Sequence, residues 1–244
     1  MTANNANIIA AVRKLFDHHK NGLLKGEIMP EDENPGLPKD SEEALCYFTL
    51  PMALNFQRNS YSLWKSALKT WQDPETRYVF DPAKVVNTSF ETLQASLLKY
   101  KVALQPNKHV QIWQTICETI MREYEGRFLD LLTKNDFDLG KILLLLTTQK
   151  KKFPYLAGPK ISNYWLYVLT QYTTHKFKNL ASLSIAVDTH VLQASIHLGV
   201  IPANANNLMA ASSWEKLLAG TDISPIQVHT PLWLWSRQGF LPEV

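Results

Sequence analysis

Apolar residues recur along this chain with a helical period almost everywhere. Ile8, Ile9, Val12, Leu15 and Phe16 form a first stripe, which ends near Asn21 and Gly22. Ser41 is placed as the N-cap of a second helix, EEALCYFTLPMALNF, whose apolar character almost all round predicts burial. Pro51 should interrupt and kink it. A polar break at Gln57, Arg58 and Asn59 precedes SYSLWKSALKTW, apolar at Leu63, Ala67 and Leu68. Pro74 and Pro82 mark the next loop, with short helices expected over 82–86 and 90–100. Pro106 suits the first turn of a long helix reaching Tyr124, with its stripe at Val110, Trp113, Ile116, Cys117 and Ile120. Another helix is expected over about 138–149. Ile161, Tyr164, Trp165, Val168, Leu169 and Tyr172 then mark an amphipathic helix with Lys160 in its first turn. Asp188 is placed as the N-cap of a further stripe, Val191, Ala194, Ser195 and Leu198, closed by Gly199. No stretch alternates with period 2 for long; Tyr78, Val79 and Phe80 could pair only locally. The expectation is an all-α domain spanning 1–244, with about ten helices in two lobes and a cleft between them.

Composition narrows the class. With 244 residues, 45% hydrophobic and 19% charged, the chain can bury a substantial core and does not have the make-up of a disordered protein. No apolar run, Ile142 to Leu146 being among the longest, approaches the roughly 18–20 residues of a membrane span. The N-terminus has no basic region ahead of an apolar one, so no secretion signal is expected. Cys46 and Cys117 sit among apolar residues and read as core side chains, giving neither a disulfide framework nor a metal quartet. They point to a reducing, intracellular compartment. No histidine has metal-ligand spacing. The net charge of +3 permits nucleic-acid binding without demanding it, because clustering decides. Residues 27–43, with Glu27, Glu31, Asp32, Glu33, Asp40, Glu42 and Glu43, read as a solvated acidic loop.

The candidate chemistry lies between Lys150 and Val191. Lys150, Lys151 and Lys152 precede a Pro/Gly turn, Lys160 opens a helix, and Asp188 opens the next. A helix N-terminus favours a phosphate and disfavours a cation. In a partly desolvated cleft that field lowers the pKa of a lysine, as an amine nucleophile requires. The helix from Lys160 rises roughly 20 Å, and residues 173–187 can span about 50 Å, so the chain is long enough to return Asp188 to Lys160. Each feature also has a plain reading: a solvated lysine run and an ordinary helix cap.

Together, GPKISNYW and IAVDTHV resemble the helix-hairpin-helix DNA glycosylases, the superfamily of endonuclease III and the 8-oxoguanine glycosylases. The hairpin would be Pro154 to Lys160, and the later motif Val187-Asp188-Thr189-His190-Val191. The resemblance covers about 140–200; the flanking helices agree more in number and order than in sequence. It implies that Lys160 attacks C1′ of a damaged nucleotide, expels the base and holds the sugar as a Schiff base before β-elimination. Asp188 would stabilise the charge on the sugar and help deprotonate the lysine. Backbone N–H groups near Ala157 and Gly158 would hold a phosphate, in the family often with a monovalent cation. The partner would be double-stranded DNA with damaged bases, bound by a monomer in the cytoplasm, at the nucleoid, or in the nucleus, with the target base flipped from the stack.

Some positions depart from the family. Leu156 stands where the first hairpin glycine is expected, and Pro159 removes an N–H donor. The 28 residues from Lys160 to Asp188 exceed the endonuclease III spacing and look more like the archaeal-type 8-oxoguanine enzymes. Two cysteines cannot ligate the iron–sulfur cluster of endonuclease III, so no such cofactor is expected. The implied activity is removal of oxidised guanine, with an oxidised-pyrimidine enzyme or a non-catalytic DNA-binding protein as alternatives. By the same resemblance Gln57, Arg58 and Asn59 stand where a wedge residue fills the hole left by a flipped base; they equally read as a plain helix–helix loop. Lys150, Lys151 and Lys152 would neutralise phosphates. Trp233 and Trp235 read either as core or, for one of them, as a base-stacking surface.

Overall fold

The structure is a computed structural model, which describes residues 3–24 and 28–244. Glu27 lies outside the described residues. Among them the chain forms twelve α-helices, four short 3-10 helices and no β-strand, so the protein is all-α. It divides into two compact units, Met29–Asn179 and the pair of segments Met1–Ile28 and Leu180–Val244.

The unit Met29–Asn179 is built around α2 (Glu42–Ala53), which buries every residue from Ala44 to Ala53. Ser41 caps it, accepting from the Ala44 N–H at 3.1 Å. Pro51 falls in the last turn, and the helix runs on to Ala53 without interruption. Around α2 pack α3 (Ser60–Gln72), α6 (Pro106–Glu123), α7 (Phe128–Lys134) and α9 (Pro159–Tyr172). The shorter α4 (Pro82–Val86) and α5 (Phe90–Lys99) lie against α6, and α8 (Leu139–Thr148) against α9. Asn59, Asp81, Ser89 and Asp138 cap α3, α4, α5 and α8 through their side chains, which is why these boundaries follow the polar residues of the sequence. In the core, Trp165 Nε1 donates to Thr49 Oγ1 at 2.9 Å, and Thr49 passes a 2.6 Å bond on to Leu45 O, so two buried polar side chains are satisfied in series.

One expectation is corrected here, that of the acidic stretch, and the local pairing allowed for Tyr78–Phe80 does not form. These residues are part of a 3-10 helix, Arg77–Phe80, with Val79 O accepting from buried Trp113 Nε1 at 2.8 Å. The acidic stretch is not wholly solvated. Glu31 is 2% exposed in the 3-10 helix Pro30–Asp32, bonded to Trp64 and Tyr164, and burial pushes its carboxyl up to about 7. Glu42 turns inward to accept from the N–H groups of Phe128 and Leu129 at 2.6 and 3.0 Å, satisfying the start of α7.

The other unit contains α1 (Ala3–Lys20), α10 (Thr189–His197), α11 (Asn207–Leu218) and α12 (His229–Arg237). The stripe Ile8, Ile9, Val12 and Leu15 is buried, and α1 packs on α11 and α12. Buried Trp214 donates to Ser195 Oγ at 2.8 Å, tying α11 to α10. Helices α7, α11 and α12 are the three α-helices that the sequence patterns did not predict. No helix among the described residues is long and apolar enough to cross a membrane.

Candidate nucleic-acid interface and catalytic residues

The stretch Pro154–Lys160, read above as the hairpin, lies in the unit Met29–Asn179, between α8 and α9. Its turn is locked internally: Ala157 N–H donates to Phe153 O and Gly158 N–H to Tyr155 O, each at 2.9 Å, and Leu156 N–H to Pro154 O at 2.7 Å. The Ala157 and Gly158 donors are therefore occupied, which corrects the expectation that they hold a phosphate. The left-handed residue of the turn is Tyr155, at φ 63°, one position before Leu156. Glycine suits position 158 because a Cβ there would stand 3.1 Å from Tyr155 O, tighter than an ordinary contact. It caps α9, whose first turn carries Pro159 and the exposed side chain of Lys160.

The lysine triplet is not uniform. Lys150 and Lys151 are exposed, whereas Lys152 pairs with Glu123 at 2.8 Å and holds that carboxylate below its usual range.

The hairpin reaches the Gln57 loop through Tyr155. Its hydroxyl donates to Asn55 O, and its ring meets Phe56 edge-on at 5.7 Å. Gln57 is exposed at φ 46°, at the tip of this loop. Arg58 turns away from solvent and donates through one nitrogen to Lys101 O and Val102 O, both at 2.9 Å. Asn59 caps α3 by accepting from Ser62 N–H at 3.0 Å. Of the three wedge candidates, Arg58 and Asn59 thus have structural partners, and Gln57 projects. A third loop joins them: the Lys108 ammonium lies over the Phe56 ring, 5.1 Å from its centroid. His109 Nδ1 accepts from Leu104 N–H at 3.1 Å, and burial, with Arg58 and Lys108 nearby, pushes its pKa down to about 4.

Residues 54–60, 100–109 and 149–160 therefore converge. They contain Arg58, Lys101, Lys108, Lys150, Lys151, Lys152 and Lys160, and no acidic residue. Arg58 is turned inward and Lys152 is paired with Glu123, which leaves Lys101, Lys108, Lys150, Lys151 and Lys160 as the exposed cations of a basic face. The sequence signal for Lys101 and Lys108 was the absence of Asp and Glu from 44–72, 92–117 and 139–187.

Asp188 belongs to the other unit. It caps α10, with Oδ1 accepting from Val191 N–H at 2.9 Å and Oδ2 from Trp233 Nε1 at 3.1 Å. Trp233 is 6% exposed, with the His190 ring edge-on at 5.6 Å and the Arg237 guanidinium 5.0 Å from its centroid. Trp235 is 1% exposed and donates to Pro242 O at 2.9 Å. Both tryptophans are core residues with engaged indole N–H groups, and neither offers an open stacking face; this corrects the base-capture reading. Among the described residues no group of His, Cys, Asp and Glu could hold a metal ion.

No protein-family model and no curated protein matches this chain.

Proposed function

We propose that this protein is a DNA glycosylase with an abasic-site lyase activity, acting on oxidised guanine in duplex DNA. The observation that carries DNA as the partner is the convergence of three loops whose exposed cations are Lys101, Lys108, Lys150, Lys151 and Lys160 and which contribute no acidic residue of their own. Such a face attracts the phosphate backbone by releasing its counterions. In this reading α8, its turn and α9 are the helix-hairpin-helix, and Lys160 follows the basic turn directly with an exposed amine. The amine of Lys160 forms a bond to C1′ as the bond to the base breaks, and the base leaves with the electron pair. The proton lost by the amine passes to the departing base. The nitrogen lone pair then expels O4′ from C1′, and O4′ takes up a proton as the sugar ring opens. The protonated Schiff base so formed makes the C2′ proton acidic, and its loss expels the 3′ phosphate. Asp188 acts on the positive charge that develops on the sugar, its carboxylate held in one orientation by Val191 and Trp233. Oxidised guanine is drawn from the motif spacing.

A second reading, a non-catalytic DNA-binding protein, is favoured by the same basic face, since that face needs neither Lys160 nor Asp188 as a catalyst.

Borohydride trapping separates them. Duplexes carrying 8-oxoguanine, thymine glycol or an abasic site are incubated with the protein and reduced. A covalent adduct with 8-oxoguanine DNA that is lost in Lys160→Gln is the expected result. Preferred trapping of thymine glycol would move the substrate to oxidised pyrimidines. Intact DNA binding with no adduct on any of the three would leave the non-catalytic reading.

A further inference from the structure

Phe56 is the point at which the three basic loops meet. Tyr155 reaches it from the hairpin, Lys108 from the first turn of α6, and Arg58 anchors its own loop to the carbonyls of Lys101 and Val102. Tyr155 pays for this in its backbone, because a bulky residue at φ 63° is strained by about 1 kcal/mol or more where a glycine would not be. What the tyrosine adds over a glycine is the tie itself, a hydroxyl bond to Asn55 O and a ring edge on Phe56, spanning 100 residues of sequence. None of these tying contacts neutralises a charge. Lys101, Lys108, Lys150 and Lys151 remain exposed, and none forms an ion pair among the described residues.

We infer that Tyr155 is a positioning residue, which fuses the hairpin to the Phe56 loop so that Lys150 and Lys151 on one side and Lys108 on the other engage one phosphodiester strand. This rests on the DNA-binding reading above. The cations come from separate loops, which suits a polymer of phosphates better than a single phosphate. Holding them in place before binding removes the ordering of flexible loops from the free energy of association. Lys108 sits above the Phe56 ring, so releasing Phe56 releases Lys108 from its bound position.

The test is the salt dependence of binding of the full chain to an undamaged duplex. Each phosphate contact contributes about 0.9 to the slope of log K against log salt. Lys108→Ala should lower the slope by about one contact. Tyr155→Phe, which removes no charge, should lower it by a similar amount, and the double variant by no more than Lys108→Ala alone. Phe56→Leu, which removes the ring beneath the ammonium, should behave in the same way. Because the slope is independent of the fraction of active protein, partial unfolding would not mimic this result. An unchanged slope in Tyr155→Phe, with Lys108→Ala lowered, would overturn the positioning role; an unchanged slope in Lys108→Ala would overturn the placement of Lys108 on the strand. Absence of salt-dependent binding by the wild type would remove the DNA-binding reading itself.

Discussion

Trp233 Nε1 donates to Asp188 Oδ2 at 3.1 Å, across 45 residues of sequence, while the other carboxyl oxygen caps α10. Asp188 is thus both a cap and a side chain held by the core, and substitutions can separate the two roles. In Asp188→Asn the amide oxygen can still cap, but its NH₂ group then faces the Trp233 N–H. Loss of about 1–2 kcal/mol of unfolding free energy is expected. Trp233→Phe in the same background should restore part of it by removing the opposed donor, which a double-mutant cycle of chemical denaturation would read.

Trp233→Phe alone leaves the cap intact and frees one carboxyl oxygen. Under the proposed chemistry the rate of base release should fall by about ten- to hundred-fold, the roughly 1.5–3 kcal/mol of one hydrogen bond to a charged group, with the Kd for DNA unchanged. Single-turnover kinetics and a binding titration would check the two halves. A weakened Kd with an unchanged rate would count against a catalytic role for Asp188.

Glu31 makes stability depend on pH. Its carboxyl is at about 7 in the fold against an ordinary 4.5, so the folded state holds its proton more tightly than the unfolded one. The contribution is fully present below pH 4.5 and is lost as pH rises through 7, amounting to roughly 3 kcal/mol at most. Glu31→Gln should therefore be more stable than the wild type above pH 7 and show little difference below pH 4.5. Melting temperatures at pH 4.5, 6 and 8 would show the two curves diverging with rising pH.

His109 works in the opposite direction. Its pKa is depressed to about 4, so the stability it contributes is present above about 6.5 and is lost as pH falls towards 4. Protonation also removes the acceptor for Leu104 N–H, which shapes the loop between Lys101 and Lys108. The protection of the amides in residues 101–105, taken relative to their intrinsic exchange rates, should fall on acidification in the wild type, and a His109→Asn variant should lack that response.

Thr49 tests the core. Thr49→Val preserves the shape but leaves the N–H of fully buried Trp165 without its acceptor, so a loss of about 1–3 kcal/mol is expected by denaturant titration.

Most helices were legible because their causes are local. The stripe from Ile161 to Tyr172, the cap at Ser41, Pro106 in a first turn and Asp188 before Val191 each depend on neighbours within one or two turns. Helix α7 was missed because its start is satisfied by Glu42, 86 residues earlier, and not by a cap in its own sequence. Glu31 was misread for a related reason: an acidic, proline-rich stretch has the composition of a loop, and only Trp64 and Tyr164 make burial of one carboxyl tolerable. In the hairpin, Lys160 and the glycine at 158 were legible, but the left-handed residue was not, since tyrosine rarely adopts it.

Helical class, the boundaries of the locally capped helices and the catalytic candidates thus follow from the sequence by itself, since backbone hydrogen bonding and amphipathic spacing act over a few residues. The company those residues keep was decided only by the tertiary structure. Tyr155 with Asn55, Lys108 on Phe56, and Trp233 with Asp188 are pairs far apart in the chain. No local pattern specifies which distant partner packing will bring to a buried or half-buried polar group, and it is packing that turned scattered lysines into one basic face.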